Sequence, residues 1–389
     1  MEKEPKMETK ITKSHTPDSL DEEFTKFKEG RDDLNVYARY SYREGRELEE
    51  KLAKKMGGAD AAIFNSGMGA ISSSIEAEQL SCGDTVLCSQ DVYFLTHGLY
   101  DDLKKRGIKI RLFDPGDQEK LVQQIKTLNP RVIIFETVAN EKQMNMVDTE
   151  KVLQATEDLN KRQLERSEKD LAEIKLAEKK FRDKYANLSD SDIDEFLDAL
   201  ANYQETNNYF CFRKIIKRIS SELALNRREV IEDMAEVAQF VTKGKEKTSL
   251  IVDNTLPSPE LYKPLEHMKQ GMLTDMVVVE SGTKHYQLGQ DEITLGIACS
   301  NNPEKIKEIR NVRSKMGNYL QPMNLVAMPE GSIEGMSDKM KRHAQNALTL
   351  AESLSELEGI KKVYHPNLKN HPEKDLADKF SSVGIVSLF

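Results

Sequence analysis

The chain has no tryptophan, only 6% aromatic residues and four cysteines among its 389 residues. Each shortage removes a class of protein. Cys82, Cys88, Cys211 and Cys299 are too few for a disulfide scaffold and lack the close pairs of a zinc site, so they read as free thiols. Basic side chains are not in excess either. With 57 Lys and Arg against 66 Asp and Glu the formal net charge is -9, which leaves no surplus to neutralise a nucleic-acid backbone. No apolar run is long enough to span a bilayer, so neither nucleic acid nor membrane is an expected partner. The first thirty residues are charged and hold no apolar core of the signal-peptide kind, which predicts a cytoplasmic protein with an N-terminal arm over 1–36.

What is present suffices for a large core, with 38% hydrophobic residues in a chain long enough for two or three domains. Over 37–157, amphipathic helices alternate with short β-branched runs, the pattern of a mostly parallel sheet covered by helices. Helices are predicted over 46–56, 69–80, 97–106 and 118–128, and strands over 61–64, 85–88, 108–113 and 131–136. Between 158 and 244 charged residues dominate, and Leu159, Leu164, Leu171, Ile174, Phe181 and Tyr185 recur without strand-like alternation. That texture predicts a helical insertion, with helices over 193–203, 212–223 and 228–241, serving as a solvated or partner-contacting surface. The sheet domain then resumes over 245–308 with buried strands at 249–253 and 275–279. A smaller C-terminal α/β domain over 309–389 is predicted after it. A helix over 301–319 leads into this part, which holds a helix over 337–357 and strands over 360–364 and 383–389. It reads as incomplete, because it stops on the apolar run Ile385 to Phe389.

Ligands of such sheets collect at the carboxyl ends of the strands. Asp253 closes the strand 249–253, and Lys284 closes Ser281-Gly282-Thr283-Lys284 just after the next one. An aldehyde cofactor needs an amine to hold it as a Schiff base and a carboxylate to keep its pyridine nitrogen protonated, so Lys284 and Asp253 point to pyridoxal 5'-phosphate. The hydroxyls of Ser281 and Thr283 flank a glycine and suit a phosphate. Asn65-Ser66-Gly67-Met68-Gly69-Ala70 follows a strand and opens a helix, which makes an anion site; a plain glycine-rich turn is the other reading. Tyr93 follows the 85–88 strand, where an aromatic ring can stack on a pyridine. His97 and His285 are read as packing residues, since Lys284 already supplies a base.

An ordered set of motifs extends this reading. It runs through Tyr37-Ala38-Arg39-Tyr40, Arg46 to Ala53, Ser66 to Ala70, Asp91-Val92-Tyr93, Glu136 to Asn140, Val252 to Thr255 and Ser281 to Lys284. It continues into Lys339-Met340, His343 and Asn346-Ala347. In these the chain resembles the Cys/Met metabolism group of pyridoxal phosphate enzymes, the cystathionine γ-synthase, cystathionine γ-lyase and methionine γ-lyase family. The resemblance implies the type I fold of PLP-dependent transferases. It also implies β/γ-elimination or γ-replacement on a sulfur-containing or O-acylated homoserine-type amino acid. Lys284 would hold the cofactor and shuttle the proton, Asp253 would pair with the ring nitrogen and Tyr93 would stack on the ring. Gly67, Met68, Ser281 and Thr283 would bind the phosphate, and Asn140 would lie near the phenolic oxygen. Tyr37 and Arg39 would reach the phosphate of a neighbouring subunit's cofactor, which requires a dimer or tetramer.

Departures from the family pattern keep other readings open. Tyr42-Arg43-Glu44 stands for Asn-Pro-Thr, Phe94-Leu95 for small glycine-type residues, and Glu330-Gly331-Ser332-Ile333-Glu334 for Arg-Gly-Leu-x-Thr. Gly289-Gln290-Asp291 replaces a Gly-His-Ser/Thr-Asp run, and the family's substrate-carboxylate arginine would fall beyond Phe389. The alternatives are another type I fold activity, an aminotransferase or lyase, or an impaired family member acting as a scaffold or partner.

Overall fold

A computed structural model describes residues 25, 37–139, 141, 143–165, 247–287 and 292–380. The helices expected at 193–203, 212–223 and 228–241, the strand expected at 383–389, and Asn140 lie outside the described residues. The chain divides into two compact units, 1–157 with 248–389, and 158–247. Of the second unit, 158–165, which are helical, and Lys247 are described.

Among the described residues, the first unit is built on seven strands: β1 (Asp60–Phe64), β2 (Thr85–Ser89), β3 (Lys109–Phe113), β4 (Val132–Glu136), β5 (Ser249–Asp253), β6 (Met276–Ser281) and β7 (Gly296–Ser300). Their order is β1-β7-β6-β5-β4-β2-β3, and only β7 runs antiparallel to its neighbours. Central strands covered on both faces read as unbroken apolar runs, and all five residues of β4 are buried. At the edge the alternation fails differently, with Lys109, Arg111 and Leu112 of β3 exposed.

Helices α1 (Arg43–Met56), α2 (Gly67–Glu76), α3 (Phe94–Lys105) and α4 (Gln118–Leu128) lie in the first half. After β5 come α5 (Ser258–Leu261), α6 (Gly282–His285), α7 (Pro303–Met316), α8 (Pro322–Val326), α9 (Met336–Ser355) and α10 (Lys374–Phe380). One face of the sheet, including Val86, Ile134, Ile251, Val277 and Val279, packs on Ala70 and Ile71 of α2, Tyr100 of α3 and Ile309 of α7. None of the helices searched among the described residues is long and apolar enough to cross a membrane.

A buried ion network joins α1, β1 and α7. Glu49 is 1% exposed and accepts from Arg313 Nη1 (2.6 Å), Arg46 Nη1 (2.5 Å) and the Ile63 N–H (3.0 Å). Burial works to raise its pKa, but Arg313, Arg310 and Arg46 hold the carboxyl down to about 2.

Three expectations change. α2 begins two residues early because the Ser66 hydroxyl caps it, accepting from the Gly69 N–H at 3.0 Å. β7 was not foreseen, since Gly296-Ile-Ala-Cys-Ser300 is small and unpatterned. In the fold it is buried throughout and fills the gap between β6 and β1. Conversely, the segment 360–364 forms no strand and pairs with none among the described residues, and Ile360 is 44% exposed. An isolated segment with no sheet edge beside it has nowhere to place its ladder bonds except water.

Candidate active site

Register decides which side chains meet. Glu136 pairs with Asp253, and Asp253 pairs with Val279, so these positions share one face of the sheet and Ser281, two residues on, joins them. That face is the one α2 packs against. At the carboxyl ends of β4, β5 and β6 lies a cavity of about 260 Å³, whose wall includes Gly67, Met68, Tyr93, Asp253, Ser281, Thr283 and Lys284. Tyr37 and Arg39 are not on this wall. The Arg39 guanidinium instead lies 5.3 Å and 5.2 Å from the ring centroids of Tyr37 and Tyr40, and Tyr37 is 53% exposed.

Each wall group is held by the backbone around it. Thr255 donates its N–H to Asp253 Oδ1 (2.9 Å), and the Thr255 hydroxyl accepts the Ser281 N–H (2.8 Å). Burial pushes the Asp253 carboxyl above the usual carboxylate range, while the Thr255 bonds and the charge of Lys284 work the other way. Lys284 Nζ stands 5.8 Å from the centroid of the Tyr93 ring. Tyr93 is anchored from below, since its N–H donates to Glu136 Oε1 at 2.6 Å. Glu136 and Thr255 are site residues that reading the sequence did not single out. Glu136 carried a signal, a carboxylate at a strand end like Asp253, but a strand-end position alone does not say which side chain it will orient.

The anion cradle is the start of α2. Ser66 caps the Gly69 N–H, which leaves the N–H groups of Gly67 and Met68 among the donors that a helix start cannot satisfy internally. A Cβ on Gly67 would stand 3.0 Å from the Ser281 Cβ, so glycine allows the helix start to lie against the serine. Gly296 does the same from β7: a Cβ there would fall 1.9 Å from the Ser66 carbonyl oxygen. Thr283 Oγ1 accepts the Leu295 N–H (3.0 Å) and is thereby oriented, with only a long contact (3.4 Å) to the Leu295 carbonyl. An amine, a strand-end carboxylate, an aromatic face and free donors at a helix start are the set that pyridoxal phosphate needs, so the residues present fit it.

The sequence model of the Cys/Met metabolism PLP-dependent enzyme family matches residues 4–162 and 214–388. The chain belongs to that family. Pyridoxal phosphate is the cofactor of the Cys/Met metabolism enzymes. Among curated relatives, the L-methionine gamma-lyase of Porphyromonas gingivalis is 24% identical over 357 residues, covering 90% of this chain and 64% of that protein. The cystathionine beta-lyase of Coxiella burnetii is 30% identical over 165 residues, covering 42% of this chain and 40% of its own. The chain thus spans 40% and 64% of the length of these two relatives. A solved cystathionine gamma synthase from Xanthomonas oryzae pv. oryzae, in complex with aminoacrylate and cysteine, superposes with a TM-score of 0.60 at 19% identity, covering 90% of this chain and 65% of that one. At that identity the likeness establishes the fold, the type I fold seen throughout the Cys/Met metabolism enzymes.

Proposed function

We propose that this chain catalyses β/γ-elimination or γ-replacement on a sulfur-containing or O-acylated homoserine-type amino acid. The observation that carries this is the convergence of Lys284, Asp253 and Tyr93 on one cavity beside the Gly67–Met68 cradle, in a chain of the Cys/Met metabolism family. Relatives named for cystathionine and L-methionine support the substrate class.

Bound pyridoxal phosphate supplies an aldehyde and an electron-withdrawing ring that eases proton loss from the substrate Cα. The protein's part is placement and proton transfer. Lys284 Nζ would hold the cofactor, and as a free amine it would act as the base that takes the substrate Cα proton and gives it back. Asp253 would keep the ring nitrogen protonated, and Tyr93 would offer its aromatic face to the ring. The N–H groups of Gly67 and Met68, with the hydroxyls of Ser281 and Thr283, would hold the phosphate, and Asn140, which is outside the described residues, is the residue that the family pattern assigns to the phenolic oxygen. In this reading Tyr37 and Arg39 complete the phosphate site of a neighbouring subunit, so the active form is a dimer or tetramer, working in the cytoplasm.

The test is direct. Purified protein mixed with pyridoxal phosphate is expected to develop a near-visible absorbance band that Lys284→Ala abolishes, and then to release ammonia, a keto acid or a thiol from cystathionine, methionine or O-acylhomoserine. Identical spectra for the wild type and Lys284→Ala would sink the proposal.

A further inference from the structure

The strand ends have a second face behind the cofactor site, and one of its residues, Glu280, also borders the cavity. Because side chains alternate along a strand, the neighbours of the front-face groups point backwards: Thr137 beside Glu136, Asn254 beside Asp253, Glu280 beside Ser281. These three are bonded to one another. The Thr137 hydroxyl donates to Asn254 Oδ1 (3.0 Å), and Asn254 Nδ2 donates to Glu280 Oε1 (2.9 Å) and to the Tyr262 carbonyl (2.9 Å). Glu280 Oε2 in turn receives the hydroxyl of Tyr286 (2.5 Å), two residues past Lys284. All four side chains are buried, Thr137 and Asn254 at 0%, Tyr286 at 1% and Glu280 at 2% exposure.

A carboxyl this deep is costly unless its surroundings use it. The ionisable side chains that act on Glu280 most without bonding to it are Asp253 and Glu260, both acidic. Burial above all pushes its carboxyl up to about 8, so at pH 7 it is mainly the neutral acid. A fully satisfied buried network rigidifies what it touches, and every member of this one is a chain neighbour of a group on the cavity wall or stands just beyond Lys284.

We propose that Glu280 is a positioning residue for the cofactor, fixing through Asn254 and Tyr286 the placement of Asp253, Ser281 and Lys284 relative to one another. The inference rests on the cofactor reading of the front face. Its chemistry is that of a shaped, uncharged hub: one oxygen accepts from Asn254 while the other faces the phenol of Tyr286. Glutamine keeps the carbonyl oxygen for Asn254 and reverses the second bond, its amide N–H donating to the Tyr286 oxygen.

Cofactor titration into the apoprotein, followed by absorbance and by visible circular dichroism of the bound cofactor, tests this. Glu280→Gln is expected to keep the dissociation constant within about twofold and to retain the dichroic band, whereas Glu280→Ala raises the constant about tenfold or more and weakens the band. The dichroic band reports how the cofactor is oriented, which a loss of stability alone would not change. Wild-type binding and dichroism in Glu280→Ala, or an equal loss in Glu280→Gln, would overturn the inference. Where the alanine apoprotein fails to give a folded far-ultraviolet spectrum, Tyr286→Phe removes one of the two bonds; it is expected to raise the constant about threefold, and an unchanged constant overturns the inference as well. A wild-type chain with no Lys284-dependent band would instead bring down the cofactor reading, an outcome distinct from an indifferent Glu280→Ala in a chain that binds.

Discussion

Glu49 and Asp253 are both enclosed carboxyls, yet their acidities move in opposite directions, because three guanidinium groups surround Glu49 while Asp253 has one amine and the Thr255 bonds. The consequences differ accordingly. Glu49→Gln leaves Arg313 and Arg310 buried beside an uncharged group, and the expected cost is about 3–5 kcal/mol in urea denaturation at pH 7. Since the folded pKa, about 2, lies below the ordinary 4.5, the stability Glu49 contributes is complete above 4.5 and lost as the pH falls from there through 2. An acid titration of wild type against Glu49→Gln should converge at the low end; parallel curves would refute the assignment. Asp253→Asn is expected to leave the fold and cofactor binding in place and to lower turnover about 100-fold or more, read as steady-state kinetics beside the absorbance of the bound cofactor.

Among the elements, β7 shows how a strand can be essential and still invisible in sequence. Its first residue, Gly296, must be glycine because the Ser66 carbonyl occupies the place of a Cβ. Gly296→Ala would push the start of α2 away from β7, at about 1–3 kcal/mol in stability and with a severalfold loss of phosphate affinity, measured by thermal unfolding and by cofactor titration. An alanine variant with unchanged affinity would separate the cradle from this contact. The parallel strands were legible because burial on both faces demands near-continuous apolar residues, as in β4 and β5. Gly296 to Ser300 carries no such signal, and 360–364 carries one without a neighbouring strand to realise it, since pairing is a property of two segments and not of one.

At the scale of the whole molecule, two chains contribute to each site in the proposed reading. Tyr37 and Arg39 lie off the cavity wall of their own chain, which is what a contribution to a neighbour's site requires. Mixing Arg39→Ala with Lys284→Ala subunits should then restore activity: random pairing makes half the dimers mixed, each with one intact site of two, so about a quarter of wild-type activity returns. No recovery after subunit exchange, with mixed dimers verified by sedimentation and mass, would place Arg39's role within its own chain.

Lys284, Asp253, Ser281 and Gly67, which the fold brings to one cavity, were legible as candidates from the sequence alone, because an amine, a strand-end carboxylate, a hydroxyl and a glycine at a helix start have chemistry that does not depend on their neighbours. The sequence likewise determined the type of most strands and helices through their periodicity, and the absence of a basic surplus through its counts. Tertiary structure decided everything that is relational. It set Glu136 beneath Tyr93, threaded β7 between β6 and β1, and gathered Thr137, Asn254, Glu280 and Tyr286 behind the site. Those contacts depend on strand register and sheet order, which join residues more than a hundred positions apart, and no local pattern carries that information.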